Sequence, residues 1–196
     1  MTPRKSSSPP DADSLYEATV KALARRARSS GELRQYLLKR HATNTQMEAV
    51  LKRLRENGYL DDARFARAFA ASRLQTDLHG SARVGRDLAA RRVHPEIARE
   101  ALAAAYEGID EGELLRRYLR RKVGRSRLPD KPSAVDTLYR RLLRAGFRSA
   151  TIVRELRKML PGPLSKGHTP SENTNWEELL ESLAETDESE SEPRLP

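Results

Sequence analysis

The chain has 196 residues, a formal net charge of +9 and no cysteine, so it is long enough to bury a core, while disulfides, thiolate catalysis and thiolate metal sites are excluded. Hydrophobic residues make up 37% and charged residues 33%, Ala, Leu and Arg dominate, and apolar positions recur at three and four, which is the composition of a soluble all-α protein. The charge is uneven: residues 1–160 carry 35 Lys/Arg against 19 Asp/Glu, residues 161–196 carry 2 against 9, and a body that basic favours a polyanionic partner.

Residues 1–13, with Ser6-Ser7-Ser8-Pro9-Pro10, read as a disordered basic arm too polar to offset its own ordering. From Ser14, the positions Leu15, Ala18, Ala22 and Leu23 predict a first helix ending near Arg28. Ser29 or Ser30 caps a second, with Glu32 in its first turn and Leu33, Tyr36 and Leu37 as its stripe. Asn44 or Thr45 caps a third, carried by Met47, Val50, Leu51 and Leu54. These three helices make one unit, 14–58.

A joint follows. Gly58 closes the third helix in the left-handed conformation, Tyr59 and Leu60 fold into the corner, Asp61 caps the next helix and Asp62 sits at the positive end of its dipole. Phe65, Phe69 and the neighbouring alanines are expected to form the buried face of that helix, which runs to about Asp77. Gly80-Ser81 breaks and caps, Val84 and Leu88 mark a second helix, and His94-Pro95 opens a third through Ile97, Ala101, Leu102 and Tyr106, giving a second unit over 59–109. A third unit, 110–160, begins with Leu114, Leu115, Tyr118 and Leu119, resumes with Leu138 and Leu142, turns at Gly146-Phe147 and closes with Ile152, Leu156 and Leu160. Laying Leu37 on Leu88 and Leu142 also lays Ala42 on Val93 and Phe147, a repeat of about 50 residues. The expected architecture is an elongated, curved all-α array of three tandem three-helix repeats.

Residues 161–196 form an acidic tail expected to be flexible. Within it Trp176, Leu179, Leu180 and Leu183 share one helical face, a short helix that docks on the chain's own body or on a partner. No apolar run approaches a bilayer span and the first residues lack a signal peptide's apolar core, so a cytoplasmic location and no membrane partner are expected.

The run Gly58-Tyr59-Leu60-Asp61-Asp62, with Arg64, Phe65 and Ala66, then Arg73, then Gly80, Arg83, Val84 and Leu88, strongly resembles the RecX family of bacterial recombination regulators. The resemblance extends over about residues 14–160, through the Arg28–Leu37 segment upstream and Leu142, Gly146-Phe147 and Ile152 downstream. It implies three tandem three-helix repeats, and binding to the RecA recombinase in the groove of its filament on single-stranded DNA. It further implies suppression of strand exchange, ATP hydrolysis and coprotease function, hence a place in DNA repair and the SOS response, without chemistry of its own. The motif residues are expected to be mainly structural. Where relatives have a Lys-Gly pair ending the second helix of the first two units, this chain has Arg40-His41 and Arg91-Arg92, so those ends need another way to turn.

The candidate binding surface is the third unit. Arg116 and Arg120, like Arg117 and Arg121, are four apart on a helix, and Lys122, Arg125, Arg127, Arg140, Arg141, Arg144 and Arg148 add to the same basic region. Guanidinium groups suit phosphate through bidentate hydrogen bonds, and acidic surface on RecA is the other candidate target. No catalytic residue, metal or cofactor is expected. His41, His79, His94 and His168 lack metal-ligand spacing, Asp61 and Asp62 are explained as helix-start carboxylates, and no glycine-rich loop cradles a nucleotide. Weak DNA binding is expected beside the RecA contacts, and the alternative reading is a basic helix-turn-helix-like DNA-binding protein acting independently of RecA. The glutamates Glu96, Glu100 and Glu107 argue against base readout by the second unit.

Overall fold

Capping chemistry sets where the helices begin. The computed structural model describes residues 11–123, 132–159 and 180–182, and these contain nine α-helices, one π-helical segment and no strand. The first triplet is α1 (Ala12–Arg25), α2 (Ser30–Leu38) and α3 (Asn44–Glu56); the second is α4 (Asp62–Ser72), α5 (Ser81–Ala90) and α6 (Pro95–Tyr106); the third is α7 (Glu111–Lys122), α8 (Pro132–Arg144) and α9 (Ser149–Met159). The all-α, three-helix periodicity is as expected. α1 opens two residues earlier than the apolar spacing suggested, because the Asp11 carboxylate accepts the Ser14 amide at 2.7 Å. Ser29 caps α2 in a reciprocal box with Glu32, whereas α3 is capped by Thr43, boxed with Gln46, and not by Asn44 or Thr45. The helix expected to run to Asp77 is α-helical only to Ser72; Arg73–Asp77 widen into a π-turn closed by Leu78 at φ 57°.

The repeat is written in the backbone hydrogen bonds that end the second helix of each triplet. The amides of Ala42, Val93 and Phe147 donate to the carbonyls of Leu37, Leu88 and Leu142 at 3.2, 3.2 and 3.3 Å, and the residues just before them, His41, Arg92 and Gly146, all have positive φ. This is the same Schellman-type closure three times, with Ala42, Val93 and Phe147 buried beside it. Only the third copy uses glycine. At the positions where the chain departs from the Lys-Gly pattern, the turn is made instead by His41 at φ 59° and Arg92 at φ 57°.

By contacts the chain divides into two compact units. One joins the described residues up to Ala71 to Gly85–Ala105, and its main apolar cluster is Leu15, Leu33, Leu37, Met47, Val50, Leu51, Leu54 and Leu60. The other joins Ser72–Val84 to the described residues from Tyr106 onward, with Leu78, Leu114, Leu115, Tyr118, Tyr139, Leu142, Phe147, Ile152 and Leu156 at its centre. The middle triplet is thus shared between the two.

Candidate functional site

The joint after α3 is built from backbone requirements. Gly58 takes φ 71°, Asp61 accepts the Arg64 amide at 2.8 Å as the cap of α4, and Arg64 reaches back to the Gly58 carbonyl at 3.1 Å. Asp62 does more than face a dipole: its carboxylate accepts the Ser30 amide at 2.8 Å and the Ser30 hydroxyl, tying the start of α4 to the start of α2. Leu60 is buried in the corner as expected, but Tyr59 is 53% exposed and lies outside it. The buried face of α4 is Ala66 and Ala70; Phe65 and Phe69 are only half-buried, because the residues small enough to let α4 approach its neighbours are the alanines. The two rings stack 6.1 Å apart, with the Arg91 guanidinium 5.9 and 5.1 Å from their centroids. Arg91 also pairs with Glu32 at 3.5 Å, and its carbonyl accepts the Ser29 hydroxyl. Of the other motif residues, Arg73 spans its π-turn to Asp77 at 2.6 Å. Gly80 lies where an added Cβ would strike the Gly146 backbone.

The candidate arginines of the third triplet separate into two sets. Arg116 is drawn inward: it meets Glu155 at 2.6 Å and Glu113 at 2.9 Å, and Glu155, only 2% exposed, also accepts from Lys158 at 2.9 Å and Arg154 at 3.4 Å. Burial pushes the Glu155 pKa up, but hydrogen bonds from Lys158 and Arg116 outweigh it and bring the carboxyl down to about 2. Arg120 reaches Glu113 at 3.4 Å, Arg140 pairs with Asp136 at 3.0 Å, and Arg141 donates to the Lys122 carbonyl at 3.1 Å, closing the end of α7. Arg117 and Arg121, one turn apart on α7, are exposed and have no charged partner among the described residues. Lys122 and Arg144 are exposed as well. Arg148 is exposed beside a small cleft lined by Ser81, Tyr106 and Glu111, and its amide donates to Glu111 at 3.1 Å. Arg125 and Arg127 lie outside the described residues, as do Trp176, Leu179 and Leu183 of the tail.

Chemically this is a surface of fixed positive charge, suited to holding anions. No cluster of His, Asp and Glu able to hold a metal occurs among the described residues. Burial raises the Tyr106 hydroxyl to about 12, so it stays protonated and donates to the His79 carbonyl at 2.7 Å. No described helix is long and apolar enough to cross a membrane. Sequence reasoning missed the Glu155 hub, although a lone acid three residues after Ile152 and beside Leu156, in an otherwise basic helix, was its signal. It also missed the bond from Asp62 to Ser30, for which local sequence holds no signal.

Residues 16–54 match the model described as RecX, first three-helix domain, and residues 61–102 match RecX, second three-helix domain. The regulatory protein RecX of Syntrophotalea carbinolica is 31% identical over 143 residues, an overlap covering 70% of this chain and 90% of that relative. The chain belongs to the RecX family. RecX proteins of Oceanobacillus iheyensis and Geobacillus kaustophilus are 24% and 29% identical, over 74% and 67% of this chain; it spans only about half of their length, 53% and 49%. The fold matches crystal structures of RecX from Lactobacillus salivarius and of a second regulatory protein RecX. Their TM-scores are 0.59 and 0.58 at 16% and 18% identity, covering 76% and 75% of this chain and 96% and 73% of theirs. All these relatives carry the name RecX.

Proposed function

We propose that this RecX-family chain binds RecA and its filament on single-stranded DNA, lying in the filament groove and suppressing strand exchange, ATP hydrolysis and the coprotease function without chemistry of its own. Family membership carries this reading. The exposed Arg117 and Arg121 pair on α7 supports it, because it leaves guanidinium groups available to phosphate or to acidic protein surface. Three repeats, 14–58, 59–109 and 110–160, would each contribute contacts along the partner, and blocked filament growth or blocked motion during ATP turnover would give inhibition.

The test is RecA ATP hydrolysis on single-stranded DNA, titrated with this protein at two salt concentrations beside its direct binding to the same DNA. Inhibition at protein levels well below those that bind bare DNA supports filament recognition. Inhibition only when the DNA is saturated makes the chain a competing DNA-binding protein, and the helix-turn-helix-like alternative takes over.

A further inference from the structure

We propose that Leu180 and Glu181 form a latch that seats the acidic C-terminal segment on the unit containing α7, α8 and α9 and lowers the affinity of its arginine surface for polyanions. The inference rests on the reading of that surface as an anion-binding face. Leu180 has no exposed surface and belongs to the apolar cluster of Ile152, Val153 and Leu156 in α9, although it lies beyond the repeats in sequence. The next residue, Glu181, accepts a hydrogen bond from the Arg157 guanidinium at 3.0 Å.

The two contacts have different tasks. Both charges of the ion pair are largely exposed, which leaves it weak and screened by salt, whereas removal of a leucine side chain from water is not weakened by ionic screening and supplies the anchor. Arg157 shares α9 with Arg154 and Lys158, and Glu155, the carboxylate that faces those two, already sits beneath them. Near Leu180 in sequence lie Glu177, Glu178, Glu185, Asp187 and Glu188, within a segment of 2 basic and 9 acidic residues. An anchored leucine therefore tethers an excess of negative charge to a basic unit at high effective concentration, where it competes with an external polyanion. A leucine that merely completed the core would not require an acidic neighbour aimed at an arginine.

The test compares the full chain with Leu180→Ser, which releases the anchor without changing net charge, using a fluorescent oligothymidylate at low and high salt. Leu38→Ser, at an exposed leucine, is the control. The expected result is tighter binding by Leu180→Ser at low salt, by about fivefold or more, with the gain shrinking as salt rises. Hydrogen exchange in α7 and α9 establishes that the variant is folded. If it is not, Glu181→Gln carries the test, expected to gain more than Glu56→Gln, which removes the same charge from an exposed pair with Lys52. Equal affinities for wild type and the deciding variant overturn the latch and leave the polyanion reading standing. No binding by any of the proteins overturns both.

Discussion

The Gly80 amide donates to the Ala145 carbonyl at 2.9 Å, and this one bond brings the backbone before α5 against the backbone that ends α8. The approach is so close that a Cβ on Gly80 would overlap the Gly146 carbonyl and lie 2.8 Å from the Phe147 amide. Neither obstacle is a flexible side chain. Gly80→Ala is therefore expected to cost about 2 kcal/mol or more in chemical denaturation, from displaced backbone and a lost hydrogen bond. Gly58 is the contrast: it has positive φ but open space around it, so Gly58→Ala should cost only about 1 kcal/mol, from the left-handed backbone alone. Equal penalties at the two sites would refute the close approach.

The same geometry predicts a gain elsewhere. His41 occupies the left-handed position that Gly146 occupies in the third triplet, and its side chain is exposed. His41→Gly should raise stability by up to about 1 kcal/mol, the relief of left-handed strain less the greater chain entropy of glycine when unfolded. A lower melting temperature would mean that the imidazole contributes more than the strain it causes.

Helices and repeat register were legible in the sequence because both depend on local signals: 3.6-residue apolar spacing, serine, threonine or aspartate caps, and the aligned Leu37, Leu88 and Leu142. Gly58 and Asp61 were legible for the same reason, since the left-handed turn and the cap each act within a few residues. Local misses were confined to helix ends, the caps at Asp11 and Thr43 and the π-turn after Ser72, and the larger failures were tertiary. Phe65 and Phe69 fit a core stripe, but burial goes to whichever residues permit close approach, here Ala66 and Ala70. Arg116 and Arg117 are neighbours of identical chemistry, and only the arrival of Glu155 from α9 makes one an internal ligand and leaves the other exposed.

Asp62 and Ser30 lie 32 residues apart and hold α4 to α2 through two hydrogen bonds to one carboxylate. Asp62→Ala should cost about 2 kcal/mol, since charged hydrogen bonds are lost and the Ser30 amide at the start of α2 loses its partner. Ser30→Ala removes the hydroxyl but keeps the amide, so it should cost less. The double variant should fall short of the sum of the two, which a double-mutant cycle in urea would detect. Strict additivity would mean that the two residues act separately.

Glu155 makes the stability of the α7–α9 packing depend on acid. Its folded pKa, about 2, lies below the ordinary 4.5, so its charge stabilises the fold fully above about 4.5 and progressively loses that effect as pH falls towards 2. Glu155→Gln should cost about 2 kcal/mol at neutral pH, and the gap from wild type should close on acidification. A gap independent of pH between 5 and about 2 would show that the carboxylate is not the charged hub of Arg116, Arg154 and Lys158.

The division of the arginines separates binding from stability. Arg117→Glu combined with Arg121→Glu alters two exposed groups with no charged partner among the described residues, so the melting temperature should hardly move. If these arginines meet phosphate, the proposed inhibition of RecA ATP hydrolysis should require a higher protein concentration, and the slope of log affinity against log salt should fall by about 2. Arg116→Glu should behave in the opposite way. It places a second carboxylate against buried Glu155, and its defect should appear first as a lowered melting temperature, with inhibition lost only as the fold is lost. Unchanged inhibition by the Arg117 and Arg121 double reversal would remove the α7 ridge from the mechanism and shift attention to Arg144 and Arg148.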